Sequence, residues 1–221
     1  RPGTWLARFD ARGDRSDWVS MDDETGSSRL NGHVAIADDG QRLYTTETDP
    51  VTGRGRIGVR DARTLRRIAS WDSLGIEPHQ VICDGEGRVW VANGGIPRTA
   101  SDHKHSLDRM DSSLVRLDPN DGRASGQWRL DDPRLSLRHL AWSVDTPRPF
   151  SRLGIAMQAE HEDDARRQQA PVLAVWEDEA LRVPLGQTDH GRGYAGDLCA
   201  VSGGGFGVSN NRAGAAWRWS P

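Results

Sequence analysis

The sequence predicts an all-β protein, a β-propeller of four-stranded antiparallel blades, and three observations carry that prediction. A histidine heads a short hydrophobic run at His33, at His79 and at His139. Each run closes on a polar residue: Glu47 and Asn93 stand fourteen positions after their histidines, and Gln158 nineteen after His139 because of a five-residue insertion. Apolar and polar residues alternate with period two, and the unit recurs every 45 to 60 residues. A β-sandwich would also alternate, but it gives no reason for a histidine to return in register.

Residues 4–20 (TWLARFD, then SDWVSM) read as the last two strands of a blade. The first full blade, 31–74, runs HVAIA, a turn at Asp38-Asp39-Gly40, RLYTTE, IGVRDA and RRIASWD. The second, 77–131, runs HQVIC, a turn at Asp84-Gly85-Glu86-Gly87, RVWVAN, SLVRLD and ASGQWRL. The third, 137–186, runs HLAWS, LGIAMQ, VLAVWE and ALRVPL. A partial blade, 194–219, keeps the fourteen-position register from Gly196 to Asn210 without its histidine, turns at Gly203-Gly204-Gly205 and ends in AAWRWS. Nothing reads as a long helix. The expectation is a single propeller domain over 1–221 with about four to five blades, truncated at both ends, because a propeller closes to protect its strand edges. Nine tryptophans suit the wedges between blades.

Composition narrows the function classes. With 29 basic against 32 acidic residues and a formal net charge of −3, no basic stripe marks a nucleic-acid surface. No apolar run approaches the ~18 residues that cross a bilayer. Cys83 and Cys199 lack a neighbouring thiol and read as strand residues, not as a disulfide or metal pair.

In a propeller the first strand of each blade lines the central channel, so His33, His79 and His139 gather around one axis. Imidazole is the commonest transition-metal ligand, which makes the three a candidate metal site, with Glu47 or Glu77 available to complete a mixed set. The competing reading is structural, each histidine bonding a neighbouring blade. Glu47, Asn93, Gln158 and Asn210 form a second polar ring that binds a ligand or satisfies loop backbone. His103 and His105, and the acidic run from Glu160 to Asp164, read as solvated loops. There is no nucleophile elbow and no phosphate loop.

The segments YTTETD (44–49), TGRGRIGVRDA (52–62), GIEPHQ (75–80), VANGGI (91–96), SLRHLA (136–141) and GYAGDL (193–198) resemble, in that order, the bacterial family called domain of unknown function 1513. The resemblance implies a seven-bladed propeller of the YVTN-repeat, quinoprotein-dehydrogenase-like kind, periplasmic and often exported behind a twin-arginine signal. It carries over His33, Glu47, His79, Asn93, Arg138 and His139. Val34 replaces the family's usual glycine and Gln80 its usual glutamate, which removes a carboxylate beside His79. The family's genes often lie beside those for imelysin-like iron-regulated proteins and di-haem oxidoreductases, which implies possible periplasmic iron-uptake partners. The expected function is a non-enzymatic propeller that binds a ligand or a partner on the face bearing His33, His79, Arg138 and His139. The alternative is a metal-assisted, lactonase-like hydrolase with a divalent ion in the channel.

Overall fold

A computed structural model describes residues 3–24, 28–99, 101–144, 152–184 and 191–221. The chain folds into consecutive antiparallel sheets, each made from one stretch of sequence. β1 (Trp5–Phe9) and β2 (Arg15–Ser20) pair as a hairpin. β3 (Arg29–Ile36), β4 (Arg42–Thr48), β5 (Arg54–Asp61) and β6 (Arg67–Ile76) form a four-stranded sheet in sequence order. β7 (Pro78–Cys83), β8 (Val89–Asn93), β9 (Ser113–Leu117) and β10 (Ala124–Trp128) form the next. A third follows with β11 (Leu135–Trp142), β12 (Arg152–Ala159), β13 (Leu173–Glu177) and β14 (Ala180–Arg182). β15 (Asp197–Val201), β16 (Gly205–Asn210) and β17 (Ala215–Trp219) make a three-stranded sheet. The five-residue insertion that lengthens the third repeat falls outside the described residues.

The first strands β3, β7, β11 and β15 lie against one another in that order, so the sheets fan about a common axis as propeller blades. Apolar residues from facing sheets fill the wedges between them. Tyr44, Ile57 and Val59 meet Val81, Val91 and Val115 in one wedge. Trp90 and Leu114 meet Leu140, Leu153 and Ile155 in the next. Ala156 and Val175 meet Leu198, Phe206 and Val208 in the third. Full burial of such side chains contributes about 1.5–3 kcal/mol each, so these wedges dominate the stability of the array.

Tryptophan fills the middle wedge: Trp90 is fully buried, stacks on Trp128 and meets Trp142 and Trp176 edge-on at 5.3 and 4.6 Å between ring centroids. The expectation that tryptophans pack between blades fails for Trp5 and Trp18, which are exposed on the first hairpin. Cys199 is also exposed on its strand, while Cys83 is partly buried, and both are free thiols. One short helix, α1 (Asp164–Gln169), occupies the loop after β12, capped by the Asp163 carboxylate, which accepts from the Arg166 N–H. The acidic run thus caps a helix. Gly203 and Gly204 turn the β15–β16 hairpin with φ of +87° and +75°, a conformation open to glycine.

Candidate functional site

Each histidine sits at a β-bulge. The register between β3 and β4 shifts between Leu30 and Val34, around His33. That between β7 and β8 shifts between Pro78 and Gln80, around His79. That between β11 and β12 shifts between Leu137 and Leu140, around His139. The β15–β16 pair, whose repeat lacks the histidine, runs without a shift. A bulge spends one residue to re-aim a side chain, and bulges concentrate at rims and functional sites. Here a register shift, of two extra residues at His33 and of one each at His79 and His139, turns three imidazoles toward one point.

Neighbouring sheets hold these strands at fixed spacing. Asn31 Nδ2 donates to the Pro78 carbonyl at 2.8 Å, Thr46 Oγ1 to the His79 carbonyl at 3.3 Å, and the Trp142 indole to the Cys83 carbonyl at 2.9 Å. Gln80 Oε1 accepts from the Leu140 N–H at 2.6 Å, satisfying an amide beside the His139 bulge. The glutamine at this position therefore ties two blades together.

The trio forms a triangle. Ring centroids are 4.9 Å apart for His33 and His79, 5.2 Å for His33 and His139, and 4.8 Å for His79 and His139. One nitrogen from each ring lies within 4.8 Å of the other two, and His79 Nε2 stands 3.1 Å from His139 Nε2. Two nitrogens held ~2.05 Å from a tetrahedral ion are about 3.3 Å apart, so this pair already has ligand spacing. His33 would have to draw closer to make a third ligand.

Burial is the main force on all three rings. It lowers the pKa of His79 to about 2, helped by the Arg138 guanidinium and the two other imidazoles. His33 is also lowered, first by burial and then by His139. His139 is lowered by burial, which outweighs the opposing pull of Asp197. At neutral pH the trio is uncharged, the state in which imidazole binds metal.

The surrounding hydrogen bonds assign the tautomers. Arg138 Nη1 donates to His79 Nδ1 at 3.1 Å, so His79 carries its proton on Nε2 and offers it to His139 Nε2. His139 in turn directs Nδ1 toward Asp197 Oδ1, 3.6 Å away. A carboxylate behind a ligating histidine is the usual second partner, but Asp197 stands beyond hydrogen-bond distance of His139. His79 has a guanidinium there instead. The Arg138 group also reaches Glu77 Oε1 at 3.3 Å, and Arg98 Nε approaches the same oxygen at 2.6 Å. A cleft of about 510 Å³ opens beside them, lined by Arg29, Asn31, Glu77, His79, Arg98 and Arg138 among others.

The residues of the expected second ring do not join this site. Glu47 is fully buried and binds Arg60 Nη2 at 2.7 Å, with Thr45 Oγ1 donating to the same carboxylate oxygen at 2.7 Å. Arg60 also pairs with Glu24 at 2.7 Å, and Arg67 approaches Glu47 at 3.4 Å. Gly58 leaves room for the Glu47 carboxylate, since a Cβ there would overlap Oε1. Asn93 is buried and donates to the Ser73 carbonyl at 2.8 Å, joining two sheets. Gln158 donates to the Ala195 carbonyl at 3.4 Å, and Asn210 binds the Gly191 carbonyl. All four satisfy backbone or buried charge.

The His103–His105 loop is tied down rather than poised: Lys104 Nζ meets Glu160 Oε1 at 2.6 Å, and His103 Nδ1 meets the Ser101 hydroxyl at 3.0 Å. Reading the sequence alone missed that Glu77 pairs with both Arg98 and Arg138. Their available signal was Glu77-Pro78, a charged residue fixed immediately before the strand that carries His79.

The fan of sheets and the converging imidazoles define a β-propeller with three histidines gathered where its first strands meet. The chain belongs to the family described as protein of unknown function (DUF1513), whose model matches residues 1–220. No curated protein matches it. Solved propellers do. The β-propeller domain of Cps50 (Swd1) from Myceliophteria thermophila aligns at 16% identity and TM-score 0.57, over 88% of this chain and 51% of that one. A chain of a mitotic checkpoint complex aligns at 13% and 0.60, over 98% and 58%. Hydrazine synthase of Kuenenia stuttgartiensis aligns at 14% and 0.53, over 98% and 70%. This chain thus spans about half the length of the Cps50 domain. At such identities the likeness shows the fold alone. Among the described residues, no helix is long and apolar enough to cross a membrane.

Proposed function

We propose that this propeller is a binding protein whose ligand is a divalent first-row transition-metal ion held by His33, His79 and His139. The observation that carries the reading is the convergence of three uncharged imidazoles from three successive blades, one pair already at 3.1 Å. Imidazole sets suit zinc, copper, nickel and iron. Iron is the ion favoured by the family resemblance, which points to periplasmic iron-handling partners, and Co²⁺ is its spectroscopic stand-in.

Titration with Co²⁺, followed by its visible absorption, tests the site. One ion per chain is expected, with loss of the band in His33→Ala, His79→Ala and His139→Ala. Binding that survives all three substitutions would place the ion elsewhere.

A second reading, a metal-assisted hydrolase, is favoured by the ligand count. Three protein ligands leave a fourth position for water, as in catalytic sites, and the adjoining cleft could admit a substrate. It predicts turnover of lactones or esters by the metal-loaded protein that disappears in His79→Ala.

A further inference from the structure

We propose that the cleft beside His79 is a carboxylate-binding subsite, and that its occupant and the metal ion bind cooperatively through Arg138. This rests on the metal reading above.

The side chain of Arg138 is buried, yet it is underused. Its Nη1 is shared between Glu77 Oε1 and His79 Nδ1, and its Nε has no hydrogen-bond partner. A guanidinium has five N–H donors, so Arg138 has capacity for a further acceptor. Glu77 answers two guanidiniums, Arg98 and Arg138, through the single oxygen Oε1. Its other oxygen packs against Gly94, where a Cβ would come within 2.7 Å of it.

Glu77 is also held in an uncommon backbone state, with φ of +52°. A residue before proline ordinarily takes an extended conformation. The Gly94 N–H bond to the Glu77 carbonyl at 2.8 Å fixes it there. Backbone outliers of this kind cluster at ligand clamps and switches. The cleft they border is lined by Arg29, Arg98 and Arg138, by the carboxylates of Asp49, Glu77 and Asp102, and by Asn31 and Thr48, whose side chains bond each other; Glu77 and Asp102 both pair with Arg98, which leaves Arg138 as the donor with spare capacity. Planar guanidinium forks match carboxylate geometry.

Coupling follows from the polarity of the Arg138–His79 bond. While Arg138 donates to Nδ1, His79 keeps its proton on Nε2, the nitrogen that faces His139. To ligate through Nε2, His79 must move that proton to Nδ1, and Arg138 must let go. A carboxylate in the cleft competes for the same N–H groups. Once Arg138 turns to it, Nδ1 takes the proton and the Nε2 lone pair faces the ion. The anion also offsets the repulsion between a divalent ion and nearby guanidiniums. Linkage makes the effect reciprocal, so the metal tightens carboxylate binding by the same factor.

The test is the Co²⁺ titration repeated at constant ionic strength with chloride replaced by acetate or succinate. The expected result is a rise of about tenfold in apparent Co²⁺ affinity, within the range typical of coupled sites. Arg138→Gln should bring the ratio of affinities with and without carboxylate close to one. It should also raise affinity in chloride, because Nδ1 is released; a merely structural arginine would not do that. Arg98→Gln, checked for native near-ultraviolet circular dichroism, should reduce the ratio independently. Co²⁺ binding indifferent to carboxylate would overturn the coupling and leave the metal site standing. No Co²⁺ binding in any anion would overturn the metal reading itself.

Discussion

At the scale of the residue, His79 concentrates the chemistry, with a pKa lowered to about 2 by burial and by Arg138. The sign of its contribution to stability follows. The folded state keeps His79 neutral while the unfolded chain protonates it near pH 6.5, so acid favours unfolding. Its stability contribution is complete above pH 6.5 and is lost as pH falls toward the folded value. Between pH 6.5 and 5.5 the loss is about 1 kcal/mol from this residue alone. Urea denaturation at the two values should show at least that difference in the metal-free protein, since His33 and His139 are lowered too, and a smaller one in His79→Gln. An equal slope in both would mean that the ring is more solvated than its surroundings indicate. Glu47 is the contrasting residue, a buried carboxylate with a structural task. Glu47→Ala leaves Arg60 buried with its network broken, and should cost about 3–5 kcal/mol of unfolding free energy by urea denaturation.

At the scale of the element, the strands were legible and the bulges were not. Period-two alternation marked strands such as β3 and β15, and short apolar runs marked β8, which is buried along its whole length between two neighbouring sheets. A bulge adds one residue to one strand and leaves both flanking patterns intact, so the sequence shows only that a histidine recurs. The second ring was left open between two readings for a related reason. An Asn or Glu at a strand end looks the same whether it meets a ligand or a backbone carbonyl. Arg60 held the missing signal, since an arginine inside the apolar strand IGVRDA requires a buried acid, and Glu47 is fourteen positions from His33 on the neighbouring strand. The wedges set the strength of each element. Trp90 spans the interface between the β7–β10 and β11–β14 sheets, and Trp90→Ala should destabilise by about 3–5 kcal/mol, read as a lower denaturation midpoint.

At the scale of the whole molecule, a metal ion on the trio would join three blades that otherwise meet through side-chain wedges and a few hydrogen bonds such as Asn31 to Pro78 and Leu140 to Gln80. Binding confined to the folded state stabilises it by mass action. Free Zn²⁺ at a hundred times its dissociation constant should add about 2.7 kcal/mol, seen as a raised melting temperature that returns to the metal-free value with chelator. His139→Ala should abolish the shift, since it removes the blade farthest along the array from the set. The most direct measurement is elemental mass spectrometry of the protein purified without chelator or nickel resin, beside His79→Ala prepared identically. The account predicts close to one transition-metal ion per chain in the first and a large loss in the second. Metal-free protein that also fails to take up iron, copper, cobalt or zinc when each is added back would contradict it.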